Sequence, residues 1–232
     1  MGDIFCAATG GDGASTDLSR RPYVFFDFDG TLANTKPSII ATARETLAEW
    51  GMTEEEMGDL NRLIGPPFPR AYTDIYGLSP ADAEELTRRY RARYALLGPE
   101  SHPLFDGMAS LLRDLVAAGR RLAVTSSKRQ EFAESMLADE GVRDVFSAVV
   151  AQRDPAHADK PYLVRATLEA LGATPDQAVM VGDRFYDVQG AAANGVPCVG
   201  VLFGTATRAE LVGAGAAAVV ESVAELRRVL LG

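Results

Sequence analysis

The chain has 232 residues, 47% hydrophobic and 24% charged, with a formal net charge of −9 and a pI near 4.8. That length suits one good-sized domain carrying an insertion, or two small ones. The acidic balance argues against a nucleic-acid coat or an anionic membrane surface as partner. Cys6 and Cys198 lie far apart, fit no metal spacing and suggest a reducing compartment without a disulfide framework. No apolar run reaches membrane-span length, and the first residues lack the basic and apolar regions of a signal peptide. The expectation is therefore a cytoplasmic protein whose residues 1–20 form a flexible leader. Gly10-Gly11-Asp12-Gly13 is no dinucleotide loop, because no strand precedes it and no helix follows.

The first element is the run Tyr23, Val24, Phe25, Phe26, whose aromatic and β-branched residues predict a buried strand. It stops at Asp27-Phe28-Asp29-Gly30-Thr31, so two carboxylates stand two residues apart where the strand ends. In an extended chain such residues project to one face. Burying both is costly unless a cation or a proton lies between them. Open α/β sheets usually do their chemistry at the C-terminal ends of central strands. Helical spacing follows over 37–52, 54–64, about 68–76 and 81–97, the second helix being stopped by Gly65-Pro66-Pro67. No strand pattern interrupts this stretch, so 36–101 is an all-helical insertion placed directly after the first strand. Trp50, Tyr90 and Tyr94 lie on helical stripes and read as the insertion's own core rather than as a ligand-stacking set.

From Leu104 the pattern alternates. Helices are expected over 107–118, 129–140, 161–171, 188–194, 208–212 and 222–231, the last with Ser222 and Glu225 as a capping box. Strands are expected over 121–125, 145–151, 178–181, 197–201 and 218–220. This alternation predicts an α/β fold, a Rossmann-like parallel sheet with helices on both faces, built from 21–35 and 102–232.

Polar residues recur at or near strand ends. Thr125 and Ser126 follow RLAV, ahead of Lys128; Lys160 sits in Asp159-Lys160-Pro161 before a helix; Gly182-Asp183, with Asp187 four residues on, follows the apolar AVMV. Each has a plain alternative: a turn hydroxyl, a solvated lysine, a chance pair of acids. In this order, however, they resemble the four motifs of the haloacid dehalogenase superfamily. The helical insertion and its Ile64-Gly65-Pro66-Pro67 turn are similar to the cap of that superfamily's phosphoglycolate phosphatase-like group. The resemblance covers nearly everything from Tyr23 to Leu231.

The resemblance implies a Mg²⁺-dependent phosphatase acting on a small phosphorylated metabolite such as phosphoglycolate, a nucleotide or a sugar phosphate. Asp27 would attack phosphorus to give an aspartyl-phosphate, and Asp29 would serve as acid and then base. Ser126, or Thr125 if the register shifts by one, would bind a phosphoryl oxygen together with Lys160, Gly30 and Thr31. Asp27, the Asp29 carbonyl and Asp183 would hold the ion, with Asp187 as a further ligand or support. Arg62 and Arg70 are candidates for facing the substrate from the cap. Partners such as nucleic acid or membrane are not expected, and a monomer or homodimer is. A phosphosugar mutase shares fold, cap and motifs, and a phospho-aspartate receiver module shares some of the chemistry but is much shorter and lacks DxDGT. Asn34 departs from the acid found in many relatives, which leaves the hinge detail open. His102 and His157 read as surface or loop residues, and Cys198 as a small buried apolar group. Arg184 could pair with an acid or a neighbouring loop. Lys128, Arg129 and Arg153 flank strand ends, either lending positive potential or serving as ordinary loop charges.

Overall fold

The computed structural model describes residues 5–6 and 17–232. Its single sheet contains β1 (Phe5–Cys6), β2 (Tyr23–Phe26), β3 (Arg121–Arg129), β4 (Phe146–Gln152), β5 (Ala178–Gly182), β6 (Cys198–Val201) and β7 (Ala218–Val220). The spatial order is β1-β7-β6-β5-β2-β3-β4. All neighbours from β2 to β7 pair in parallel, and β1 runs antiparallel beside β7. β2 is flanked by β3 and β5, with Phe26 level with Val124 on one side and Val181 on the other. The chain thus builds outward from β2 first one way and then the other. The crevice at such a reversal of strand order is where α/β sheets bind ligands.

Each strand alternates between two cores, as the pleat requires. Val24, Phe26, Leu122, Val124, Val179 and Val181 face one apolar cluster, while Phe25, Ala123, Ala178 and Met180 face the other. The first cluster is covered by α5 (Met108–Ala117), α6 (Gln130–Asp139) and α10 (Val223–Leu231), and the second by α7 (Lys160–Leu171), α8 (Phe185–Ala192) and α9 (Arg208–Gly213). Between β2 and α5 the chain forms no named strand and runs through α1 (Lys36–Trp50), α2 (Glu54–Met57), α3 (Arg70–Tyr76), α4 (Pro80–Tyr94) and short 3-10 turns. Leu47, Leu63, Tyr72, Leu86, Tyr90 and Tyr94 from this segment join the first cluster, so its interior is continuous with that of the sheet. Two connecting segments are laced together where the helical segment meets the sheet. Asn34 donates its backbone N–H to the Pro103 carbonyl at 2.8 Å, and Phe105 donates to Leu32 at 3.1 Å. No described helix is long and apolar enough to cross a membrane.

Several boundaries differ from the sequence expectation. Of the leader, residues 1–4 and 7–16 lie outside the described residues, whereas Leu18–Arg20 forms a 3-10 turn capped by Asp17, with Leu18 buried against α10. The helix expected over 54–64 breaks at Gly58, whose φ of 57° and ψ of −141° leave the helical region. Asp59 then accepts from the Asn61 N–H and starts a separate turn, Leu60–Leu63. α4 starts one residue earlier than expected, at Pro80 after the Ser79 cap, and ends at Tyr94. β3 runs past Thr125 to Arg129, because Ser126 and Arg129 still pair with Ala151 and Gln152 of β4. The polar run Ser126-Ser127-Lys128-Arg129 carries no apolar alternation to announce it. α8 begins three residues before its apolar spacing does. His102 is buried rather than superficial, 2% exposed beside Ser101 and Asp139, whereas His157 is exposed.

Phe25 is fully buried on β2. Its replacement by alanine should cost about 3–5 kcal/mol through lost transfer energy and the cavity left behind. Urea unfolding checks this; a loss below about 1 kcal/mol would mean the second cluster closes over the gap.

Candidate active site

The strand registers gather the acids. Asp27 follows β2 directly, its N–H donating to the Val181 carbonyl at 2.9 Å. Asp183 follows β5, and Asp187 lies in the first turn of α8. All three are buried, and one oxygen from each lies within 4.8 Å of the others. Lys160, the first residue of α7, reaches into the cluster. Its Nζ lies 3.0 Å from Asp27 Oδ1 and 2.7 Å from Asp187 Oδ1, and donates to the Thr125 carbonyl at 3.1 Å. Asp183 is held by the Thr205 N–H at 2.8 Å and faces the Thr31 hydroxyl at 3.4 Å. Asp187 Oδ2 accepts from the Arg184 N–H at 3.1 Å.

The charges do not balance within this cluster. Burial first, then Asp187 and Asp29, push the Asp27 carboxyl up to about 6, with Lys160 and Ser126 pulling the other way. Burial and the neighbouring acids raise Asp183 well above the usual carboxylate range. Burial opposes the charge on Lys160, but Asp187 and Asp27 outweigh it and keep the ammonium protonated. Asp27 Oδ1 and Asp187 Oδ1 have no described partner beyond the one Lys160 ammonium they share. Buried carboxylate oxygens in this state, all hard donors, fit a small divalent cation such as Mg²⁺.

Backbone shape keeps the cluster tight. Gly30 adopts a φ of +75°, and a Cβ there would fall 2.3 Å from Asp183 Oδ2. Gly204, after β6, passes so close that a Cβ would lie 2.3 Å from the Gly30 carbonyl oxygen and 2.4 Å from Asp183 Cβ. Gly182 and Gly190 are equally confined by Asp187 and Lys160.

The two hydroxyls after the RLAV run diverge. Ser126 lies against Asp27, whereas the Thr125 hydroxyl meets Thr167 of α7 at 2.9 Å, inside the core. Asp29 stands slightly apart, its Oδ1 2.8 Å from Lys128 Nζ, which also donates to the Tyr94 hydroxyl at 3.2 Å. Burial works against the Lys128 charge, but Asp29 and Tyr94 outweigh it and hold the ammonium protonated. Beyond Asp29 a cavity of about 70 Å³ opens between the helical segment and the sheet, lined by Tyr90, Arg91, Tyr94, Lys128 and Gln152 among others. A larger cavity of about 280 Å³ reaches Lys160 past Arg70, Tyr186 and Gln189. Arg70 is largely exposed and paired with Asp74 at 3.2 Å, and Arg62 is exposed and lines neither cavity.

Three core side chains hold one strap of the helical segment. Ser127 donates to the Gly65 carbonyl at 2.8 Å, Gln152 to Phe68 at 3.1 Å, and Arg184 to Ile64 while also pairing with Glu210 at 3.0 Å. Sequence reasoning missed Gly204, Thr205 and Gln152, which lie in no motif. Tyr94 read as helix core, and Lys128 as one of several charges near a strand end. The one signal for Lys128 was its place two residues after Ser126.

Residues 24–201 match the family model described as haloacid dehalogenase-like hydrolase. The chain is 34% identical to a 5'-nucleotidase from Pseudomonas aeruginosa, over 83% of this chain and 87% of that protein. It is 35% identical to a phosphoglycolate phosphatase from Rhodospirillum rubrum, over 88% of each. It is also 37% identical to the tyrosine-protein kinase PtkA from Mycobacterium tuberculosis, over 82% of this chain, which spans 65% of that protein's length. Among solved structures, a predicted phosphatase from Clostridium acetobutylicum superposes with a TM-score of 0.86 at 32% identity, over 90% of this chain and 98% of that one.

Two stability measurements follow from this geometry. The folded protein holds the Asp27 proton more tightly than the unfolded chain, so that group's stabilising contribution is complete below 3.8 and lost as pH rises through about 6. In EDTA, the wild type should therefore lose stability relative to Asp27→Asn between about pH 4 and pH 7, by at most about 3 kcal/mol. A pH-independent difference in urea unfolding would contradict this. Gly204→Ala should destabilise by about 1–3 kcal/mol, whereas Gly213→Ala, with open space around it, should not. Equal thermal unfolding of the two variants would refute the close approach.

Proposed function

The chain belongs to the haloacid dehalogenase-like hydrolase family, and on that premise we propose how its own residues carry the reaction. It is a phosphoric monoester hydrolase of the phosphoglycolate phosphatase-like group, and its substrates are small phosphorylated molecules. The observation that carries the residue assignment is the buried cluster of Asp27, Asp183 and Asp187 closed by Lys160 at the C-terminal end of the parallel sheet.

In this reading an Asp27 carboxylate oxygen bonds to phosphorus as the bond to the leaving alkoxide breaks. Asp29, having taken a proton from the substrate's phosphate monoanion, gives it to that leaving oxygen and returns to its ion pair with Lys128. It then takes a proton from the water that attacks phosphorus, releasing inorganic phosphate and freeing Asp27. Lys160 and the Ser126 hydroxyl hold the non-bridging oxygens where negative charge gathers. Asp27, Asp183 and the Asp29 carbonyl, supported by Asp187, would hold Mg²⁺, which when bound neutralises charge on the phosphoryl group and the acids. Gly30 and Thr31 shape the turn that leaves room for the phosphoryl group, and Thr125 contributes its carbonyl to Lys160 rather than its hydroxyl to substrate. Residues 36–101 act as a cap that closes over the substrate and excludes water, with 21–35 and 102–232 as the core. Arg70 lines the larger cavity beside Lys160, and Arg62 lies outside both cavities.

Phosphate release from a panel of phosphomonoesters tests this, with Mg²⁺ and then with EDTA. Turnover should require the cation. Asp27→Asn should reduce it by at least ~10³-fold while urea unfolding stays cooperative. Retained turnover in that variant would remove Asp27 from the attacking role. Isomerised sugar phosphate in excess of free phosphate would favour a mutase instead, and a lasting phospho-aspartate without turnover a receiver.

A further inference from the structure

Lys128 carries a buried ammonium shared between two parts of the chain. It donates to Asp29 Oδ1 of the core at 2.8 Å and to the Tyr94 hydroxyl of α4 at 3.2 Å. Its Nζ also stands 5.3 Å from the centre of the Phe28 ring and 4.8 Å from that of Tyr94. Ring faces attract the charge without directing a hydrogen to a particular atom, so direction comes from the two oxygen acceptors. One of those is the acid itself. The other, Tyr94, belongs to the helical segment and is held in turn. Its buried ring stacks on Tyr90 at 5.5 Å and makes an edge contact with Phe132 of α6, also at 5.5 Å.

A lysine stem is flexible, and its ammonium follows Asp29 unless something else fixes it. Bonded on its far side to Tyr94, it offers Asp29 a stationary partner. Asp29 Oδ1 is then occupied, whereas Oδ2 has no described partner and is the oxygen free to handle a proton. A proton donor must stand within hydrogen-bond reach of its acceptor, and a misplacement of about 1 Å costs up to about 10²-fold. We infer that Tyr94 is a positioning residue for the acid step: through Lys128 it holds the Asp29 carboxyl with Oδ2 toward the leaving oxygen. The proton leaves Oδ2 and forms the O–H of the departing alcohol, and Asp29 remains as a carboxylate paired with Lys128. Protonation of the leaving group is then complete only with the helical segment docked. This rests on the phosphomonoesterase reading and adds to it a side chain that acts only through another.

The test is the dependence of kcat/KM on leaving-group basicity, measured with Mg²⁺ on phenyl phosphates substituted from p-nitro to p-methoxy. A nitrophenolate departs without a proton, a methoxyphenolate needs one, and kcat/KM covers only the steps up to that departure. Tyr94→Phe removes one oxygen and keeps the ring. It should slow the p-methoxyphenyl ester about tenfold relative to the p-nitrophenyl ester, which steepens the dependence. Lys128→Met should steepen it at least as much, and Lys128→Arg should restore part of the loss. Asp29→Asn has no acidic proton to give, so adding Tyr94→Phe to it should leave the slope where it was, as two side chains acting in series require. Equal slowing of all esters by Tyr94→Phe would mean that Tyr94 only docks the helical segment, and would overturn the inference. No effect of Tyr94→Phe, or further steepening in the Asp29→Asn background, would overturn it as well. A wild-type slope as steep as that of Asp29→Asn would remove the acid step and the inference together. Release of phosphate with a slope independent of Tyr94 sinks this inference alone, whereas no release from any ester sinks the hydrolase reading with it.

Discussion

The whole active-site region is shaped by a deficit of positive charge at the strand ends. Three buried carboxylates share a space less than 5 Å across, and Lys160 is the only ammonium among the described residues in ion-pair contact with any of them. At an effective dielectric of ~20, two like charges about 5 Å apart repel by roughly 3 kcal/mol. One lysine shared between two acids cannot cancel three such pairs. Burial first, and this uncancelled repulsion after it, displaces Asp27 and Asp183 upward. The backbone accepts this penalty and enforces it, since Gly30 and Gly204 are pressed so close to Asp183 that it has no room to withdraw.

The opposite arrangement holds at the second acid. Asp29 has its own lysine, Lys128, and that lysine is steadied in turn by the Tyr94 hydroxyl and the faces of Phe28 and Tyr94. Two carboxylates separated by one residue thus live in different electrostatic surroundings, one crowded by acids and one neutralised by a private partner. Such divergence is what lets neighbouring acids take different chemical roles. Tyr94 comes from the helical segment and Asp29 from the core. The position of that segment and the environment of the second acid are consequently linked.

Much of this could be read from the residues alone, because apolar patterning and strand-end acids are local signals. The parallel sheet and the helical insertion after the first strand follow from alternation along the chain, and the gathering of Asp27, Asp183, Asp187 and Lys160 from the resemblance of their motifs to those of the haloacid dehalogenase superfamily. What stayed hidden depends on contacts between distant segments. Nothing around Gly204-Thr205 marks it as the loop that seals Asp183. Tyr94 shares its helical spacing with plain core residues. The extension of β3 through Ser127 and Lys128 is decided by pairing with β4, not by the propensity of a polar run. The choice between Thr125 and Ser126 is also invisible locally. It turns on which hydroxyl the pleat aims at α7, and that requires the register. The broken helix at Gly58 and the burial of His102 are further cases in which tertiary surroundings overrode the local pattern.

The strap from Ile64 to Phe68 carries a consequence for divergence within the family. Its three attachments to the core end on main-chain carbonyls, at Ile64, Gly65 and Phe68, and every residue type offers that acceptor. The fastening itself therefore does not depend on side-chain identity, so long as the fixed donors Ser127, Gln152 and Arg184 remain, although Gly65 at a φ of +108° and the buried Ile64 are held by their own surroundings. A lineage could retune the side chains that line the cavities while inheriting the same fastening, leaving the chemistry of the lining and the attachment of the strap to drift as separate traits.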